Sequence, residues 1–213
     1  MTTQAAPPLI APAGALKTCG AAVELYWLPL GAGGHSVRLN GVAFELAAAR
    51  WEHRARCDLY HSALEVRVGQ ERHVIEMAPV WNESATERGV VAEGPVGSRR
   101  LVRWALFRYE IRCWRDGRIP DIQEAVCSPQ RLSEDPAIAR RLLELVAEVP
   151  TPVWGRDDLH TGEMWNCNSV IAWLLARVGA DVRHVRTPPG GRAPGWSAGL
   201  AVAQAATETV AIA

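Results

Sequence analysis

The segment from Asp58 to Pro79, DLYHSALEVRVGQERHVIEMAP, holds two runs of strand-forming residues around Gly69-Gln70. A chain that closes such a hairpin is committed to an antiparallel sheet. The period of two sends His61, Ala63 and Glu65 to one face of the first strand and Ser62, Leu64 and Val66 to the other. Two further strands are predicted at Val23 to Leu30, which runs into the turn Gly31-Ala32-Gly33-Gly34, and at Leu101 to Cys113, where Val102, Trp104 and Leu106 are strongly β-prone. Beyond Gly117 the pattern changes to helix. Ser133-Glu134-Asp135-Pro136 followed by AIARRLLELV is a helix start with a capping serine and an early proline, and Val149-Pro150-Thr151-Pro152 stops it. NCNSVIAWLLARV, residues 166 to 178, is a second helix with Val170, Trp173, Leu174 and Val178 inward and Gly179 at its end. Strands first and helices after predict an α+β fold.

At 213 residues the chain is sized for one domain with tails. Residues 1–21 are Ala/Pro-rich and are expected to be disordered or extended, and residues 22–185 form the working domain. Residues 186–213 make a Pro/Gly-rich tail, mobile or extended at its start, with a short apolar end that is either a docked helix or a trailing strand. Lys plus Arg and Asp plus Glu are each 23, so the net charge is zero, which argues against nucleic acid as a partner. Apolar residues make up 48%, yet no run approaches the ~20 needed to span a bilayer, so no stable membrane anchor is expected. The first residues lack the basic start and unbroken apolar stretch of a secretion signal. Cys19, Cys57, Cys113, Cys127 and Cys167 are odd in number and without CxxC spacing, which predicts neither a disulfide framework nor a zinc ribbon and fits a reducing cytoplasm. No metal or cofactor is expected. Gly31 to His35 lacks the third glycine of a dinucleotide loop, and Asp157, Asp158 and His160 form a single-loop cluster of the solvated kind.

Cys167 falls in the first turn of the second helix, where free backbone N–H groups and the helix dipole favour an anion, so a lowered thiol pKa is expected there. A nucleophilic thiol needs a base, and His61 on the hairpin strand is the first choice. His160, seven residues before Cys167 in a polar loop, is the second. Walls of a substrate cleft would come from Trp165, Met164 and Asn166 beside the thiol, Tyr60 beside the histidine and Trp154 from the connecting loop. These large, mostly apolar side chains suit an acyl chain or an aromatic peptide residue.

The His61 strand HSALEV, its turn, the strand VIEMAP and, after about ninety residues, WNCNSVIAWLLARVG together resemble the circularly permuted papain-like cysteine enzymes, in which histidine precedes cysteine. The motif is similar to that of the lecithin:retinol acyltransferase-like proteins, and the PPPDE peptidases share the same order. The resemblance covers residues 23 to 180. It implies an antiparallel sheet packed against a nucleophile-bearing helix and a cysteine-dependent hydrolase or acyltransferase. Such an enzyme attacks an amide, thioester or ester carbonyl of a small acyl compound or peptide through an acyl-cysteine. It also places Glu76 where the family carries its second histidine, whereas a count of twelve residues from His61 lands on His73, on the opposite strand face. Asn168-Ser169 stand where the family often continues with an acidic residue and a histidine. A non-catalytic binding or scaffold protein of the same fold is the alternative.

Overall fold

In the computed structural model, which describes residues 20–30, 49–50, 53–80 and 88–212, the strands form one mainly antiparallel sheet. They are β1 (Ala22–Pro29), β2 (Asp58–Val68), β3 (Glu71–Pro79), β4 (Val90–Pro95), β5 (Arg108–Arg115), β6 (Gln130–Ser133) and β7 (Gly191–Arg192). Their order across the sheet is β4-β5-β3-β2-β1-β6, with the short β7 joining β2 in parallel. The β2–β3 hairpin turns at Gly69-Gln70 as its sequence predicts, with Gly69 at φ +63°, a conformation that glycine adopts without strain. The α+β class is as expected. Residues 1–19 and the Gly31 to Gly34 turn lie outside the described residues.

Register fixes the two faces. The pairs Leu25↔Leu64, Trp27↔Ser62 and Leu64↔Ile75 put Leu25, Trp27, Leu64 and Ile75 on one side, where they meet the helices in the main core. The pairs Leu28↔His61, Tyr26↔Ala63 and Glu65↔Val74 belong to the other side, where Tyr26, Leu28, Ala63 and Val74 pack with Ile119 in a smaller core. These are the near and far faces of the sheet.

Three helices cover the near face: α1 (Pro136–Leu145), α2 (Cys167–Arg177) and α3 (Trp196–Ile212). The cap of α1 is Asp135, which accepts from Ala137 N, while Ser133 Oγ accepts from Asp135 N one step further out. α2 is apolar nearly all round, with Val170, Ile171, Leu174 and Leu175 fully enclosed between the sheet, α1 and α3. Burial of each such side chain is worth about 1.5–3 kcal/mol, so this helix is the central pillar of the fold.

Two expectations need correction. Leu101 to Phe107 are not strand: the chain makes consecutive tight turns there, and β5 begins only at Arg108. Aromatic and branched residues raise strand propensity, but among the described residues no strand pairs with this stretch and most of its side chains face outward. The start of the 186–213 segment is not loose, and of the two forms expected for its apolar end the docked helix is the one present. Asn166 Nδ2 and Asn168 Nδ2 both donate to Pro194 O, Ser169 Oγ donates to Gly195 O, the rings of Trp27 and Trp196 sit 5.2 Å apart, and α3 lies along α2. A Cβ on Gly199 would come within 2.2 Å of Ser169 O, so only glycine lets α3 approach this closely. The packed domain therefore continues past residue 185. No helix among the described residues is long and apolar enough to cross a membrane.

Candidate functional site

The start of α2 is held by a dense set of hydrogen bonds. Asn166 is its N-cap: its side chain accepts from Asn168 N and Ser169 N, while Ser169 Oγ accepts from Asn166 N, which completes a capping box. Ladder pairing between β2 and β3 runs from Val68↔Glu71 to Leu64↔Ile75. Beyond it, the first turn of α2 meets β2 instead: Ser62 Oγ donates to Asn168 Oδ1 at 2.8 Å, and Asn168 Nδ2 donates to Tyr60 O at 2.9 Å. Asn168 is 2% exposed and uses both ends of its amide, which ties strand, helix and the segment before α3 together. Sequence reasoning treated Asn168-Ser169 only as a departure from the family motif. Their polarity inside an otherwise apolar helix start is the signal that marks them as structural.

Cys167 is buried beside this network. Burial pushes its thiol up to about 11, although the backbone N–H groups of Ser62, Asn168 and Cys167 itself favour the thiolate; the Glu76 carboxylate adds to the rise. The lowered thiol pKa expected from the helix start is thus overturned by desolvation, which outweighs the N–H groups and the dipole.

His61 starts from the other face of the sheet. It pairs with Leu28 and leaves β2 on the far face with Ala63, whereas Cys167 packs in the near-face core with Tyr60 and Leu64, beside Ser62. The one-residue step between His61 and Ser62 decides this. Burial takes the imidazole down to about 4, with Asp121 on the far side opposing that shift. Folding therefore favours neutral His61. Because its folded pKa lies below the unfolded value of 6.5, its contribution to stability is complete above about pH 6.5 and is lost as pH falls toward 4. In His61→Gln, chemical denaturation midpoints measured between pH 7 and pH 4 are expected to fall less steeply than in the parent; an unchanged slope would remove His61 as the cause.

The other candidate bases lie elsewhere in the fold. His73 shares the near face with Val66, its partner across the hairpin, but Val66 is four residues along β2 from Ser62, roughly 13 Å at about 3.3 Å per residue. His160 is exposed on a loop built around Asp157, whose carboxylate accepts from Thr161 N and Gly162 N. Among the described residues no histidine, cysteine and carboxylate group clusters as a metal site would require.

Glu76 lies on the strand next to His61, as expected, but it is neither a solvent-face residue nor free to orient an imidazole. It is 7% exposed and accepts from Arg112 Nη1 at 2.9 Å. Arg112 also binds Glu110, which Arg88 holds in a bidentate pair at 2.7 and 3.0 Å. Burial pushes Glu76 above the usual carboxylate range, against the pull of Arg112 and with a further push from Glu110. Burial also pushes Glu110 up, yet Arg88 and Arg112 together overcome it and hold that carboxyl below its ordinary value. A second cluster on the same face joins Glu24 to Arg67 and Arg131, and Glu65 to Arg67 and Arg72. The far face therefore carries buried carboxylates, paired with buried arginines at Glu76 and Glu110 and with half-exposed arginines at Glu24 and Glu65.

The expected cleft walls have other roles. Trp165 is enclosed in the core at 2% exposure and bridges to Trp154, Tyr60 is buried, and Asn166 is the cap. Met164 and Trp154 are half-buried, and Trp154 lies edge-on to Tyr109. A shallow surface depression too small to enclose a water is lined by Arg156, Asp157, Leu159, Thr161, Glu163, Trp165 and Ala198 rather than by the thiol.

The fold and this site define an α+β protein whose cysteine-bearing helix packs on a histidine-bearing strand. No protein-family model, curated protein or solved structure matches the chain.

Proposed function

We propose that this chain is a non-catalytic binding or scaffold module built on a permuted papain-like arrangement, in which the cysteine and the histidine pack the fold. The topology supports the arrangement: a histidine strand, a hairpin and a later helix that begins with cysteine and docks on that strand. The observation that carries the absence of catalysis is strand parity, since His61 leaves β2 on the face opposite Ser62 and Cys167. Catalysis by a thiol requires a base within hydrogen-bond reach, and the thiol here is held protonated by burial.

One feature favours a second reading, acyl-cysteine chemistry on a small acyl compound or peptide. The N–H groups of Ser62, Asn168 and Cys167 lower the thiol pKa, and donors so placed also stabilise an oxyanion. Mass spectrometry after incubation at neutral pH with a broad thiol-directed acyl probe separates the two. The expected result is label on the exposed Cys127 with Cys167 unmodified. Acylation of Cys167 that is lost in His61→Ala would establish the enzyme reading.

A further inference from the structure

Residues 98–108, SRRLVRWALFR, connect β4 to β5 and carry four arginines with no acidic residue, in a chain whose net charge is zero. The same stretch displays Leu101, Val102, Trp104 and Leu106, and Leu106 is 71% exposed. Exposed leucines scattered singly are ordinary, but four large apolar side chains within six residues form a patch.

The segment is firmly built. Leu101 N, Trp104 N and Phe107 N donate to Ser98 O, Leu101 O and Trp104 O, so three successive turns hold it. Its base is pinned where Val96 N donates to Phe107 O and Gly97 N donates to Trp154 O. Two of its charges have acidic partners, Arg99 with Asp158 at 3.4 Å and Arg108 with Glu93 at 2.7 Å. Arg103 lies over the Trp104 ring at 5.7 Å, and Arg100 and Arg103 are both exposed. Leu159, next to Asp158, adds a further exposed apolar side chain beside the Arg99 end.

From this geometry we infer that the 98–108 turn is a peripheral docking site for an anionic lipid surface. Trp104 and Leu106 enter the headgroup region, and Arg100 and Arg103 meet the lipid phosphates and carboxylates. A protein partner would have to supply a groove shaped to these protruding side chains, whereas a bilayer interface accepts them without shape matching and adds the complementary charge. A small apolar patch with a few arginines gives reversible, salt-sensitive attachment and does not anchor a protein permanently.

Co-sedimentation of the full chain with phosphatidylcholine vesicles, with and without phosphatidylserine, tests this. Binding is expected only to vesicles that contain phosphatidylserine and is expected to be released by high salt. Each arginine removed, by Arg100→Ser or Arg103→Ser, should cut the partition coefficient about fivefold. The Trp104→Ser/Leu106→Ser double variant should stay in the supernatant even at low salt, with an unchanged circular dichroism spectrum. Equal pelleting of that variant and the parent, or no pelleting of the parent with anionic vesicles, overturns the proposal. Parent that ignores vesicles but self-associates in light scattering, with the double variant monomeric, overturns it in favour of a second copy of this chain.

Discussion

Arg112→Leu is expected to destabilise the protein by about 3–5 kcal/mol, read as a drop in the urea midpoint with little change in slope. Arg112 is 6% exposed and is the link between Glu76 and Glu110 on the far face of the sheet. Its removal leaves Glu76, already pushed up by burial, without its ion-pair partner, and leaves Glu110 with Arg88 alone. An uncompensated buried charge costs far more than an intact pair contributes, so the partner matters more than the arginine itself. Glu76→Gln added to Arg112→Leu should therefore recover part of the loss, because it removes the orphaned charge. Additive losses in the double variant would mean that the two side chains do not depend on each other.

Asn168→Ala should cost a similar amount, roughly 3 to 5 kcal/mol, through the near face. The substitution takes the acceptor from Ser62 Oγ and one donor each from Tyr60 O and Pro194 O, and a buried polar group left without a partner costs about 1–3 kcal/mol. The comparison that isolates the network is Asn166→Ala. That variant removes the helix cap, worth about 0.5–2 kcal/mol, and one bond to Pro194 O, but leaves the tie to β2 in place. If Asn168→Ala is no more harmful than Asn166→Ala, the tie between helix and strand is not what holds α2 on β2.

These two sites show how far the sequence can be read. The hairpin, α1 and α2 were legible because each has a strong period and its own punctuation, Gly69-Gln70 for the turn, Pro136 and Gly179 for the helix ends. Trp104 and Leu106 are the opposite case: residues with high strand propensity stand in turns that, among the described residues, no strand pairs with. The order of α3 was hidden because its small residues, Ala198, Gly199 and Ala203, have little periodic contrast. Their value lies in letting two helices approach, which only the three-dimensional contact reveals. On the far face, Glu24, Glu65, Glu76 and Glu110 alternate with apolar residues as a solvent face would, and only the register that sets arginines beside them makes burial tolerable.

Parity also separates the candidate site from its expected chemistry. The sequence already sent His61 and Ser62 to opposite faces, but which of the two faces the α2 helix would cover depends on packing that no local pattern contains.

The central claim, that Cys167 is a packing residue and not a nucleophile, is tested most directly by its own titration. In a variant with Cys19, Cys57, Cys113 and Cys127 replaced by serine, the rate of alkylation of Cys167 is followed against pH. Half-maximal reactivity is expected near pH 11, the value to which burial pushes this thiol, and His61→Ala should leave the curve unchanged. A midpoint below the unperturbed thiol value of ~8.5 that rises in His61→Ala would show a thiolate sustained by the imidazole, and would contradict the account.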